Sequence, residues 1–266
     1  MKERIYIATF AKNACPVARD YGYGLELNDL CISVNLDPLN RERVLARMKR
    51  EIAACYGEEW FQQPESERRK VIMHGPFTEL TPSAIDPRAI ALMNERYDQT
   101  LAFCRELGIR DFVLHDGHIP LLYHKEWHHK RSVQFWQAFA ERLPAGMTCY
   151  IENVFDDEPE LLTGILDETD RDCYRICLDV GHAHCMTGKD WQVTDWIRHM
   201  GRRIGHFHIH NNDGSADQHN DVMDGSLDME AVLRTAAAYC DADVTFTVES
   251  REAEPSARWL LAGERE

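Results

Sequence analysis

Six short apolar runs of this chain close on a histidine or a carboxylate: His74, His115, Glu152, Asp179, His210 and Glu249. His182 follows Asp179 at a spacing of three, and Asp217 and His219 follow soon after His210. Imidazole and carboxylate together suit zinc, manganese, cobalt or ferrous iron. No cysteine closes a run in this set, which argues against a sulfur-rich structural zinc site. Carboxylates gathered in an apolar interior without a cation repel one another and resist ionisation. A convergent set of nine such groups is therefore a metal site in expectation. The chemistry it offers is polarisation of a substrate oxygen or activation of a bound water. One histidine ending a strand means little, since most are capped or solvated; the argument is the repetition in register.

Register requires elements. Strands are expected at Arg4–Phe10, Gly22–Leu27, Val71–His74, Asp111–His115, Thr148–Asn153, Arg175–Asp179, Ile204–His210 and Val244–Glu249, runs rich in Val, Ile, Phe and Tyr. Helical spacing of apolar residues marks Arg41–Tyr56, Pro87–Leu107 with Gly108 as its C-cap, and Leu227–Ala238 beside Ser226 as a possible N-cap. Eight strand–helix units of about 33 residues fit an α/β (β/α)8 TIM barrel spanning 1–266 as a single domain. In such a barrel the C-terminal strand ends share one mouth, which is where the active site belongs. Pro64–Glu67 and Thr81–Pro87 read as loops within the repeat.

Composition narrows the partners. The chain carries 30 Lys+Arg against 45 Asp+Glu, a formal charge of −15, with 44% hydrophobic and 28% charged residues. That is globular composition, and its acidity argues against a nucleic-acid partner, whose phosphates need Lys and Arg. No apolar run is long enough to cross a bilayer, and MKERIYIATF has no signal-peptide core, so a cytoplasmic location is expected. Nine cysteines with no CxxC pair fit reduced thiols, Cys173 and Cys177 among them as packing residues. No GxGxxG or GxxxxGK[ST] string supports a nucleotide-phosphate loop.

Blander readings hold for the other polar residues. His206 and His208 share the face of His210 and read as hydrogen-bonded interior groups. His118, His124, His128 and His129 lie in or near one long connection, in which the stretch His124-Lys-Glu-Trp-His-His-Lys130 reads as a solvated helix start, with a lid as the alternative. His184 and Cys185 read as packed or solvated. Asp156-Asp-Glu158 reads as a solvated helix N-terminus favoured by the helix dipole. Trp127 and Trp136 read as exposed aromatics, candidates for a lid or for the contact of a homo-oligomer.

The strings Val71-Ile-Met-His-Gly-Pro76, Val113-Leu-His115, Ile151-Glu-Asn153, Cys177-Leu-Asp-Val-Gly-His182, His208-Ile-His-Asn-Asn-Asp-Gly214 and Asp217-Gln-His219 resemble the xylose isomerase-like TIM barrels. That superfamily holds sugar and sugar-phosphate isomerases and epimerases together with endonuclease IV. The resemblance runs from the third strand to the eighth and is weaker over the first seventy residues. Two patterns within it bear on function. The epimerase pattern implies one divalent cation on Glu152, Asp179, His210 and Glu249. The two glutamates would then move a proton beside a carbonyl through a metal-stabilised enediolate, and His182 would touch substrate hydroxyls. Ala216 stands where many sugar epimerases carry an arginine.

The endonuclease IV pattern implies three zinc ions. His74, His115 and Glu152 would hold the first; Glu152, Asp179, His210 and Glu249 the second; His182, Asp217 and His219 the third. Such a cluster suits phosphodiester hydrolysis. The −15 charge then directs it to a small phosphoester rather than DNA. Isomerase or epimerase chemistry on a sugar, sugar phosphate or related polyol is the expectation, and phosphodiester hydrolysis the alternative. A ligand-binding barrel without catalysis is a third reading. Arg251, just beyond Glu249, is a candidate for a substrate phosphate, a surface salt bridge being its other reading.

Overall fold

Eight short strands, each buried on both faces or nearly so, can only be interior strands of a parallel sheet covered by helices. The computed structural model, which describes residues 2–64, 68 and 71–263, has that architecture. β1 (Ile5–Ala8), β2 (Gly24–Leu27), β3 (Val71–His74), β4 (Asp111–His115), β5 (Thr148–Glu152), β6 (Tyr174–Asp179), β7 (Ile204–Ile209) and β8 (Thr245–Val248) pair in parallel and in sequence order to close a barrel. All eight expected strands are present, some trimmed by a residue or two at their ends. The loop expected over Pro64–Glu67 falls outside the described residues beyond Pro64.

Helices cover the barrel: α1 (Ala14–Tyr21), α2 (Pro38–Tyr56), α3 (Pro87–Leu107), α4 (Lys125–Ala140), α5 (Glu160–Thr169), α6 (Val180–Met186), α7 (Val193–Met200), α8 (Met229–Tyr239) and α9 (Ala253–Gly263). α3 has the bounds its sequence predicts. Asp86 caps it by accepting from the Arg88 N–H, Pro87 opens it, and Gly108 ends it at φ 68°. α8 starts two residues later than expected, because Asp228 caps it through the Ala231 N–H while Ser226 bonds His184 and Asn212 instead. No described helix is long and apolar enough to cross a membrane.

The two-residue period of the strands sorts their side chains. Ile5, Ile7, Leu25, Met73, Phe112, Leu114, Ile151, Leu178, Phe207 and Val248 join the core between sheet and helices. Tyr6, Ile72, Val113, Tyr150 and Cys177 form a separate cluster inside the barrel. One pleat further along each strand, the same inward face carries His74, His115, Glu152 and Asp179. Packing below thus sets the height of the polar groups above.

Some polar residues lie elsewhere than their local sequence suggests. Trp136 is completely buried and its ring packs on Tyr97, so it is a core residue and no subunit contact. Trp127 is 44% exposed but donates its indole N–H to the Ser83 carbonyl. His128 and Asp156 are buried, contrary to the solvated reading, and His118 is buried with them where the loops after β3, β4 and β5 pack together. His124 is the N-cap residue of α4, and His129 pairs with Glu168 on the surface.

Candidate metal centre

The strand ends meet as their register requires. β4 and β5 place His115 opposite Glu152, and β6 and β7 place Asp179 opposite His208. Asp179 has a second task. As N-cap of α6 its carboxylate accepts from the His182 N–H at 2.7 Å, which turns the chain into a helix and aims His182 at the mouth. The Asn211–Asn220 bridge after β7 then folds Asp217 and His219 back over the site.

Glu152 is the hub. Its carboxylate lies 3.2 Å from His74 Nε2, 3.3 Å from His115 Nε2 and 3.3 Å from His182 Nδ1. Asp179 meets His210 Nε2 at 3.1 Å. Asp217 reaches His182 Nε2 at 3.4 Å, His219 Nε2 at 3.0 Å and His210 Nε2 at 3.6 Å. Glu249 Oε2 lies 4.0 Å from His219 Nδ1. All nine residues expected at the mouth are therefore gathered in one connected set. Arg251 is not part of it: its side chain is exposed and absent from the described cavity lining, while its backbone N–H donates to the His219 carbonyl.

The ring orientations suit a metal. His74, His182 and His219 each direct Nδ1 at a backbone carbonyl, those of Gly75, Asn153 and Glu249, at 2.8–2.9 Å. A proton fixed at Nδ1 leaves the Nε2 lone pair for a cation, the second-shell arrangement of metal-bound histidines. Among the described residues several groups bring their ligand atoms within 4.8 Å of one another, including His74/His115/Glu152, Glu152/Asp179/His208, Glu26/His74/His208/Glu249, His182/His210/Asp217/His219 and, deeper in the barrel, Cys177/His206/His208. His210 Nδ1 and both ring nitrogens of His208 are buried without a hydrogen bond. The donor set and these orphaned atoms fit one or more divalent ions.

Electrostatics point the same way. Burial opposes charge on Glu152 and Asp179, yet the surrounding imidazoles outweigh it and hold both carboxyls below their ordinary range. Burial, reinforced by Glu26 and Glu152, pushes Glu249 up despite His208 and His219. Two neighbouring glutamates driven in opposite directions are a mark of acid–base pairs. His219 resists charging by burial but is held up at about 9 by Asp217 and Glu249. A cation bound there displaces that proton, so its binding should strengthen as pH rises toward 9. If His219 helps to hold a separate ion, His219→Ala should lower the metal content by about one equivalent per chain on elemental analysis. Unchanged content would remove the three-ion arrangement.

Sequence reasoning misses Glu26 as part of this floor. It is completely buried and bonds Thr247 at 2.5 Å, and its other oxygen lies 3.1 Å from His208 Nε2. The signal is a lone carboxylate in the middle of the apolar run Gly24-Leu-Glu-Leu27. His206 is the interior group expected, bonded to Thr245, Thr247 and Glu26. His208 is interior too, and it faces Glu152 and Glu249 at 3.3 and 3.6 Å instead of a simple hydrogen-bond partner.

Above the floor opens a cavity of about 570 Å³. Its walls are Phe10, Ile32, Phe77, Ile119 and Phe155, supplied by the loops after the first five strands, and Met186 at the end of α6; Phe77 stacks on His115 with ring centroids 4.3 Å apart. Among the described lining residues there is no Lys or Arg.

A family model described as xylose isomerase-like TIM barrel matches residues 62–263. An uncharacterized protein of Methanocaldococcus jannaschii is 26% identical over 173 residues, which are 62% of this chain and 59% of that relative. The chain thus matches less than two thirds of that relative's length. Among solved structures, a Thermus thermophilus protein soaked with ZnCl2 superposes with TM-score 0.72 at 24% identity, over 98% of both chains. An L-ribulose 3-epimerase gives 0.70 at 21% identity over 98% of this chain and 86% of that one. A family 2 AP endonuclease from Brucella melitensis gives 0.69 at 15% identity over 98% of both. At these identities the likeness is one of fold.

Proposed function

Because the chain belongs to the xylose isomerase-like TIM barrel family, we propose that it is a divalent-metal-dependent isomerase or epimerase of a small, unphosphorylated polyhydroxy ketone. The observation that carries this reading is the pairing of Glu152 and Glu249. Both line the cavity, and one oxygen of each faces the same nitrogen of His208, at 3.3 and 3.6 Å. The lack of Lys and Arg among the described lining residues favours a substrate without a phosphate group.

A divalent ion, zinc or manganese by its donor set, held by Glu152, Asp179, His210 and Glu249, would polarise a carbonyl and lower the pKa of the neighbouring C–H. Glu249, just beyond β8, and Glu152, at the end of β5 on another side of the barrel, would share the transfer. The one that is ionised would take the proton from that carbon, and the other, protonated beforehand, would return one from another direction. Return to the same carbon inverts it, and return to the former carbonyl carbon completes an isomerisation. His182 hydrogen-bonds a substrate hydroxyl, and Phe10, Phe77 and Phe155 exclude water from the mouth.

One observation favours a second reading. The compact group His182, Asp217 and His219, with contacts of 3.0 and 3.4 Å, gives a third set of donors that hydrolysis of a small phosphodiester would use. A panel of free ketoses and small phosphodiesters, assayed with the zinc- and manganese-loaded protein, separates the two. The proposal expects ketose conversion that inorganic phosphate does not inhibit. Phosphodiester turnover without ketose conversion would replace it with the hydrolase reading.

A further inference from the structure

A second cluster of ligand-type side chains lies behind the cavity wall, apart from the nine residues of the floor. Asp116 and His118 follow β4, Asp156 lies in the loop after β5, and His128 is on α4. None is more than 3% exposed. His118 also lines the cavity, which gives a small ion a route inward.

Their polar atoms are close but poorly satisfied. His128 Nε2 stands 3.4 Å from Asp116 Oδ2, and His118 Nδ1 stands 3.6 Å from Asp156 Oδ1. The two rings face each other with centroids 4.9 Å apart. Asp116 Oδ2, both ring nitrogens of His118 and both carboxylate oxygens of Asp156 lack a hydrogen bond of good geometry. Leaving such a group unpaired in the interior is costly, and more so when it is charged. Five in one place favour an occupant.

The distances within the two pairs say which kind. Charge-assisted hydrogen bonds between these groups would close to about 2.7–2.9 Å. Two ligands of a tetrahedral ion with bonds of about 2.1 Å stand roughly 3.4 Å apart, near the 3.4 and 3.6 Å of the His128–Asp116 and His118–Asp156 pairs. His128 is oriented as a ligand as well. Its Nδ1 is bonded to Ser83 Oγ at 2.5 Å, which leaves Nε2 turned toward Asp116, as in metal-bound histidines. Ser132 Oγ, 3.2 Å from that Nε2, satisfies it when no cation is present.

We propose that Asp116, His118, His128 and Asp156 form a second, enclosed site for one divalent cation of the zinc or manganese class. Its role is structural. It ties the loops after β4 and β5 to α4, and those loops carry the cavity walls Ile119 and Phe155.

The test counts metal in the full-length chain. Protein whose floor is disabled by Glu152→Gln, Asp179→Asn and Asp217→Asn is dialysed against ZnCl2 and then against buffer. It should retain one zinc per chain, and adding Asp156→Asn should remove it. Cobalt in its place should give the strong visible absorption of a tetrahedral ion. No retained metal in a chain that still melts cooperatively would overturn the proposal. If the floor-disabled chain does not fold, the otherwise unaltered protein is compared with Asp156→Asn and His118→Gln. Each should carry one equivalent less and lose the part of the chelator-induced fall in Tm that this site contributes. Equal metal content would overturn the proposal.

Discussion

Replacement of Glu249 by Gln should lower ketose conversion by about 10³-fold, within the range for losing a positioned acid or base, while the barrel still melts cooperatively. Gln is nearly isosteric, and the backbone tie from the residue-249 N–H to the Ile209 carbonyl at 3.1 Å does not depend on the side chain. The amide removes a carboxylate that burial, Glu26 and Glu152 already disfavour, so the metal-free fold should lose no stability. What the amide cannot do is take up or give up a proton. Loss of a metal ligand is the competing explanation, and saturation separates them. At metal concentrations that restore full occupancy, the rate should remain low. Activity within tenfold of the unaltered protein would remove Glu249 from the proton-transfer role.

Gly181→Ala should be nearly as damaging, at a position that touches no substrate. A Cβ on Gly181 would fall 2.0 Å from His210 Cε1 and 2.5 Å from both ring nitrogens. Either His210 swings off Asp179, or α6 lifts and breaks the cap that Asp179 makes with the His182 N–H. Helix propensity alone favours Ala over Gly by about 1 kcal/mol, whereas overpacking a filled interior costs roughly 1–3 kcal/mol. The expected outcome is a lower Tm, loss of about one metal equivalent and at least a ~10²-fold loss of conversion, since a misplacement of about 1 Å suffices for that. Higher stability with full metal content would show that the His210 position is not what the site depends on.

How far the sequence carries these arguments differs from residue to residue. The nine floor residues are legible because each follows an apolar strand, and strand ends in a parallel barrel share one location whatever lies between them. α6 escapes notice because its start is set by the side chain of Asp179, itself read as a ligand, and seven residues are too few for a periodic stripe. His128 and Asp156 read as solvated because they lie in the charged stretches His124-Lys-Glu-Trp-His-His-Lys130 and Asp156-Asp-Glu158. What buries them comes from far away, as with Ser83 against His128. Trp136 lies in the largely apolar run Val133-Gln-Phe-Trp-Gln-Ala-Phe139, and Val133 and Phe139 at helical spacing mark it as part of an apolar stripe. The start of α8 has no local solution, since Ser226 and Asp228 are both good capping residues. The choice follows from Ser226 being engaged by His184 and Asn212.

The central claim is that this mouth moves a proton at carbon beside a carbonyl. Incubation of the metal-loaded protein with free ketoses in D2O, followed by NMR, tests it most directly. The account predicts deuterium at the carbon next to the carbonyl of at least one ketose, abolished by Glu249→Gln. No exchange into any ketose by fully metal-loaded protein, together with hydrolysis of a small phosphodiester, would contradict it.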